Sequence, residues 1–94
     1  VIGVSSFEWN GQKAQQNLVK HKVSFEEAQT VFDDPMYVIY YDPDHSDDEH
    51  RYLIIGESNQ AKLLLVSYTE RGDVIRIISA RRVTARERQT YEQL

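Results

Sequence analysis

Six arginines crowd into residues 71–88 (Arg71, Arg76, Arg81, Arg82, Arg86 and Arg88), against only Asp73 and Glu87, so this stretch carries a net charge of +4. None of the six is replaced by lysine. The planar guanidinium fork grips phosphate or carboxylate at two points, and a cluster of forks is chemistry for holding a phosphodiester. Arg81 and Arg82 stand just before a helix opened by Thr84, whose first N–H groups can add to an anion site. Strict alternation along the preceding strand puts Ile75, Ile77, Ser79 and Arg81 on one face and Val74, Arg76, Ile78 and Ala80 on the other. Arg76, amid apolar neighbours, then needs a partner or an open edge. The alternative use of these arginines is pairing with the protein's own surface acids, which is common and weak. Arg86 and Arg88 fall on helix positions that solvent claims.

His21, in Val19-Lys20-His21-Lys22, closes a helix. The helix C-terminus favours a cation there and the flanking lysines oppose one, so the imidazole is placed to titrate near neutral pH and move protons. An ordinary helix-ending residue is the competing reading. The stretch Asp42-Pro43-Asp44-His45-Ser46-Asp47-Asp48-Glu49-His50 is rich in oxygen and nitrogen donors but lacks the glycine and terminal glutamate spacing of a calcium loop, so a solvated acidic loop is expected over a metal site. Glu49 and Arg51, two residues apart at a strand mouth, share a face. They suit a base beside a phosphate anchor, or a plain cross-strand ion pair. There is no Gly-x-Ser-x-Gly elbow, no glycine-rich phosphate loop and no cysteine, which removes the usual nucleophile and P-loop chemistries.

The 94 residues suit one domain, taken as 1–94 with residues 1–6 set aside as a leader or a flexible addition. An apolar share of 40% supplies one core. The lack of cysteine favours a reducing compartment, hence the cytoplasm. No signal-peptide pattern and no apolar run of about 18 residues appear. The net charge of −4 argues against a general nucleic-acid binder, but it hides an asymmetry: residues 24–50 hold nine acids and no Lys or Arg.

The elements that must position these groups follow from pattern. Phe7–Trp9 alternates as a short strand, and Asn10 caps a helix to Lys20–His21 with Ala14, Leu18 and His21 on its inner stripe. Ser24 and Glu27 form a capping box, with Val23 and Ala28 as a staple, for a second helix faced by Phe25, Ala28, Val31 and Phe32 and stopped at Asp34-Pro35. Strands are expected over Met36–Tyr41, Arg51–Gly56, Ala61–Thr69 and Val74–Ala80, the last pair joined by the hairpin Glu70–Asp73. Thr84 and Glu87 box the start of a terminal helix reaching about Tyr91. The order β-α-α-β-β-β-β-α predicts an α+β fold: an antiparallel sheet packed by two N-terminal helices, with a C-terminal helix.

Several phrases resemble one known family. Phe7-Glu8-Trp9-Asn10, Asn17 with Lys20 to Ala28, and Phe32-Asp33-Asp34-Pro35 resemble the front half of BrnT toxins. His45-Ser46, Glu49, Arg51 and Ile55 to Ser58 resemble the middle; Tyr68 to Asp73, Ile75 to Arg81, Glu87 and Tyr91 resemble the end. The resemblance implies a RelE-like fold and the toxin of a type II toxin–antitoxin pair. It implies a metal-independent endoribonuclease that halts translation and needs no cofactor. A BrnA-like antitoxin would be its partner and would carry the contact with operator DNA, with a toxin homodimer within the complex. By the same resemblance the site is expected at His21, Glu49, Arg51, Arg71 and Arg81 as catalytic residues and at Lys20 and Arg76 as RNA contacts, to which Arg82, from its place at the strand end, and Tyr91 are added as RNA contacts. His21 or Glu49 would be the base, Arg71 and Arg81 would clamp one phosphate, and Tyr91 would stack on a base. The alternatives are a catalytically weak RelE-fold regulator that acts only when bound to antitoxin, and a metal-dependent enzyme using residues 42–50.

Overall fold

The computed structural model describes residues 6–45 and 49–93. Five strands form one sheet: β1 (Ser6–Glu8), β2 (Val38–Asp42), β3 (Arg51–Glu57), β4 (Leu63–Arg71) and β5 (Val74–Arg82), in the spatial order β1-β5-β4-β3-β2. The helices are α1 (Gly11–His21), α2 (Phe25–Thr30) and α3 (Ala85–Glu92). The element order therefore matches the expected one. The sheet is mixed rather than antiparallel, however, because β1 runs parallel to β5, pairing Phe7 with Ile75 and Glu8 with Arg76. A strand joined to its neighbour through the rest of the chain is free to pair in either sense, and local pattern does not decide which. Residues 1–5 of the N-terminal segment lie outside the described residues; Ser6 begins β1.

The expected caps form. Asn10 accepts the Lys13 N–H at 3.0 Å, and Ser24 accepts the Glu27 N–H at 3.0 Å. The return half of the Ser24 box does not form: the buried Glu27 carboxylate instead accepts the Ser58 hydroxyl at 2.7 Å and faces Lys62 at 3.6 Å. At α3 the box is complete, Thr84 and Glu87 serving each other. The inner stripe of α1 is Ala14, Asn17 and His21, whereas Leu18 is turned outward and 48% exposed. Asn17 accepts the Ala80 N–H at 3.1 Å and donates to the Ala80 and Val23 carbonyls, both at 2.9 Å. It thereby supplies the edge of β5 with the partner that the three-residue β1 is too short to reach.

The core lies between the sheet and α1–α2, where Val23, Phe25, Ala28 and Val31 meet Ile54, Leu64, Val66, Tyr68, Ile75, Ile77 and Ala80. Edge-on ring contacts link Phe7, Phe32 and Tyr68, each pair 5.1 Å between centroids. Gly56 is required by close approach: a Cβ there would stand 2.8 Å from Val31 Cγ1 and 3.1 Å from its carbonyl. Gly72 turns the β4–β5 hairpin at φ 64°, in a two-residue loop.

Helix α1 ends on Lys22, whose φ of 60° lies in the left-handed region that costs a side chain and suits glycine. Lys22→Gly should therefore stabilise the fold by about 1 kcal/mol, since the bond it removes, from Lys22 Nζ to the Val19 carbonyl, is exposed to water. A calorimetric Tm that fails to rise would show that the side chain contributes more there than its backbone costs.

Candidate active site

The face of the sheet turned away from α1 and α2 collects most of the candidate residues. Across it, strand by strand, Glu8, Arg76, Thr69, Arg51 and Asp42 stand in one register row. Cross-strand partners share a face, so all five present their side chains together. Arg71, two residues beyond Thr69 on β4, belongs to the same face and meets Glu49, just ahead of β3.

A bulge shapes this arrangement. The register of β5 on β4 shifts at Ser67/Tyr68: Tyr68 pairs with Ile77, but Ser67 pairs with Ser79. Ile78 is the extra residue, and beyond it the facing of β5 inverts. Strict alternation would have put Arg76 and Arg81 on opposite faces; the bulge puts both on this one. They are nonetheless far apart. Arg81 stands opposite Leu65, and Leu65 to Arg71 is six residues of β4, roughly 20 Å at ordinary strand rise. Arg71 and Arg81 therefore do not close on one phosphate, contrary to the expectation from sequence.

Each principal arginine is met by a carboxylate. Arg71 donates to Glu49 through Nε at 2.8 Å and Nη2 at 3.2 Å, a two-point grip, and Glu8 lies 3.8 Å from its Nη1. Arg76 donates to the same Glu8 oxygen. Glu8 thus bridges Arg71 and Arg76, answering the need of an arginine among apolar neighbours. Arg81 makes a two-point pair with Glu87 at 2.8 and 2.9 Å. Pairing with the protein's own acids, the alternative use of these arginines, is realised at all three positions.

The pairs set the proton chemistry. The hydrogen bond from Arg71 holds the Glu49 carboxyl below the usual glutamate value, and the same pair raises Arg71. Glu49 is therefore ionised and able to accept a proton, but a weak base while Arg71 holds it. At the far end of the face, the hydrogen bond from Arg81 brings Glu87 down to about 2.

The remaining candidates lie elsewhere. Lys20 and His21, with Lys13, Gln16, Asn17, Ile78 and Ser79, line a groove of about 280 Å³ between α1 and the edge of β5. Ser79 lies three residues along β5 from Arg76, about 10 Å at strand rise, so His21 does not meet Glu49. Arg82 is paired with Leu64 and turns to the opposite face from Arg81. Tyr91 donates its hydroxyl to Asp34 at 2.6 Å, and this bond raises the phenol to about 12. It ties α3 to the turn after α2. Asp34 is partly buried, which pushes its carboxyl up, but the bonds from the Glu57 N–H, Tyr91 and the Met36 N–H outweigh this and leave it low.

In the acidic stretch after β2, His45 Nδ1 lies 2.9 Å from Asp42 Oδ2, and Tyr41 Oη is hydrogen bonded to His50 Nδ1 at 3.0 Å. Ser46, Asp47 and Asp48 are outside the described residues. Among the described residues, no three metal-ligating side chains converge and no helix is long and apolar enough to cross a membrane.

Arg81–Glu87 and Tyr91–Asp34 are the polar ties of α3, a helix with no buried residue. Glu87 falls from its ordinary 4.5 to about 2 in the folded chain. Its contribution is therefore complete above about 4.5 and lost as pH drops through about 2. Amide exchange in residues 85–92 should accelerate across that window before β4 and β5 loosen. Glu87→Gln should show the loosened helix already at neutral pH. Equal protection at both pH limits would mean that the pair does not hold α3.

Sequence pattern singles out neither Glu8 nor Thr69. For Glu8 a signal exists, since Arg76 demands a partner, but nothing local names it. Thr69 carries none.

Residues 9–87 match the family described as the ribonuclease toxin, BrnT, of type II toxin–antitoxin systems. No curated protein matches. Among solved structures, the chain is similar to the 1.1 Å crystal structure of the Brucella abortus ribonuclease toxin BrnT, with 21% identity and a TM-score of 0.61 over 84% of this chain and 96% of that one. At this identity the likeness speaks for the α+β fold. The family match spans most of the sequence, and the chain belongs to the BrnT family of type II toxin–antitoxin ribonuclease toxins.

Proposed function

We propose that residues 1–94 form a single RelE-like toxin domain that acts in the cytoplasm as a metal-independent endoribonuclease and halts translation by cutting RNA. A BrnA-like antitoxin neutralises it and carries the operator DNA contact, and the toxin is a homodimer within that complex. The observation that carries the reading is the cluster of Glu8, Arg76, Thr69, Arg51, Arg71 and Glu49 on one sheet face, in a member of a ribonuclease toxin family.

The chemistry follows from the pairs. An incoming phosphodiester competes with Glu49 and Glu8 for the guanidinium forks of Arg71 and Arg76. As Arg71 turns from Glu49 to the phosphate, Glu49 loses the bond that weakens it and becomes a better base. It accepts the 2′-OH proton as that oxygen attacks the adjacent phosphorus. The P–O5′ bond breaks, the 5′ oxygen takes up a proton, and the products are a 2′,3′-cyclic phosphate and a 5′-hydroxyl. Arg71, Arg76 and Arg51 stabilise charge on the phosphorane. Lys20 and His21 in their groove, with Arg82, contact flanking phosphates. Arg81 and Tyr91 fasten α3.

A second reading, the antitoxin-bound regulator without activity, draws on the fact that Arg71, Arg76 and Arg81 are each already met by a carboxylate. Purified chain incubated with RNA in excess chelator decides between them. Cleavage leaving 2′,3′-cyclic phosphate ends, abolished by a 2′-deoxy at the cut site, is the expected result. Intact RNA under all conditions leaves the regulator, and cleavage only with added metal overturns metal independence.

A further inference from the structure

Thr69 sits at the centre of the charged row, between Arg76 and Arg51, with Arg71 two residues along its own strand. It is fully buried, at 0% exposure. Its Oγ1 has no hydrogen-bond partner, the one buried side-chain atom among the described residues in that state. A buried hydroxyl left unpaired works against folding. Valine would fill the same space in a strand without that penalty. The neighbours do not relieve it: Arg76 is turned to Glu8 and Arg71 to Glu49. The hydroxyl therefore lies on the floor of a cluster whose cations are held aside by carboxylates. A tetrahedral oxyanion drawing Arg71 and Arg76 off their carboxylates would bring an acceptor oxygen over that floor.

We propose that Thr69 is a binding residue of the phosphodiester site, its hydroxyl donating to a non-bridging phosphate oxygen held between Arg76 and Arg71. This rests on the ribonuclease reading above and adds a neutral donor that none of the charged candidates supplies. The unpaired hydroxyl is then the counterpart of the bond it makes to a bound phosphate. Such a donor acts on the charge that develops at phosphorus, so its loss should appear in the rate of the chemical step more than in RNA affinity.

Thr69→Val and Thr69→Ser separate this from a packing role. Thr69→Val should melt at or above the wild-type temperature yet cleave RNA about 10–100-fold more slowly in single turnover, with a smaller change in the RNA concentration giving half-maximal rate. Thr69→Ser should recover most of the rate. Inorganic phosphate titrated against the chain should shift the Thr69 and Arg76 amide signals in wild type, and shift them much less in Thr69→Val. A folded Thr69→Val that cleaves within about twofold of wild type overturns the proposal and leaves the ribonuclease reading standing. So does a slow Thr69→Val that Thr69→Ser does not rescue, since methyl packing would then be what matters. If wild type binds phosphate through Thr69 but cuts no RNA, the anion site stands and the ribonuclease reading falls.

Discussion

Arg71→Ala is expected to slow RNA cleavage about 10²–10³-fold, the usual consequence of removing one donor from a transition-state oxyanion site, while leaving the melting temperature nearly unchanged. The second half follows from exposure. Arg71 and Glu49 keep 49% and 40% of their side-chain surface accessible, and ion pairs so placed contribute little to folding. Arg71→Lys should recover only part of the rate, because an ammonium keeps the charge but loses the two-point fork that now grips Glu49 and that the proposed mechanism turns to the phosphate. Arg81→Ala should do the reverse. It sits at the other end of the face, its fork is committed to Glu87, and its removal should free α3 while cleavage stays within a few-fold of wild type. Single-turnover rates beside melting curves for the three variants test the assignment. Full cleavage by Arg71→Ala, or a cleavage defect confined to Arg81→Ala, would move the site to the α3 end of the sheet.

Much of the fold was legible because its signals are local. Asn10, Ser24 and Thr84 cap helices as their types and spacing require, and Gly72 turns a hairpin because it alone among the residues there adopts positive φ easily. What escaped depended on partners distant in sequence. Glu8 lies 68 residues from Arg76, and a lone glutamate in a three-residue strand has no spacing to read. The parallel pairing of β1 escaped for the same reason. The facing of Arg81 departs from the alternating pattern because alternation holds only while every residue is paired, and Ile78 is not. The arginine patch was visible as composition, but composition counts charges without matching them. Of its +4, two charges are met by Glu8 and Glu49 from outside the patch, while Glu87, already counted in that total, pairs with Arg81. The candidate site is therefore a set of guanidinium forks that the chain's own carboxylates occupy.

Asn17→Ala should cost about 3 kcal/mol of stability, a large loss for a polar side chain. Asn17 is 7% exposed and makes three hydrogen bonds, all to main-chain atoms. Alanine would leave the Val23 carbonyl and both polar groups of Ala80 without those partners, each at about 1 kcal/mol or more where water does not enter. For a chain of this size the Tm should fall by roughly 12–24 °C. Asn17→Asp should not restore it, because the two donor bonds go through the amide nitrogen, and a carboxylate would face the Ala80 and Val23 carbonyls instead. The consequences extend past stability. Ala80 lies on the stretch of β5 that β1 does not cover, so its freed N–H and C=O form an open strand edge, a template for association between chains. Residues Lys20 and His21 stand one turn beyond Asn17 on α1, so loosening this tie also unseats the groove beside Ser79. Calorimetry with light scattering on Asn17→Ala checks both effects. A loss below about 1 kcal/mol without association would mean that water replaces the amide, and that β1 and α1 are held to β5 by packing alone.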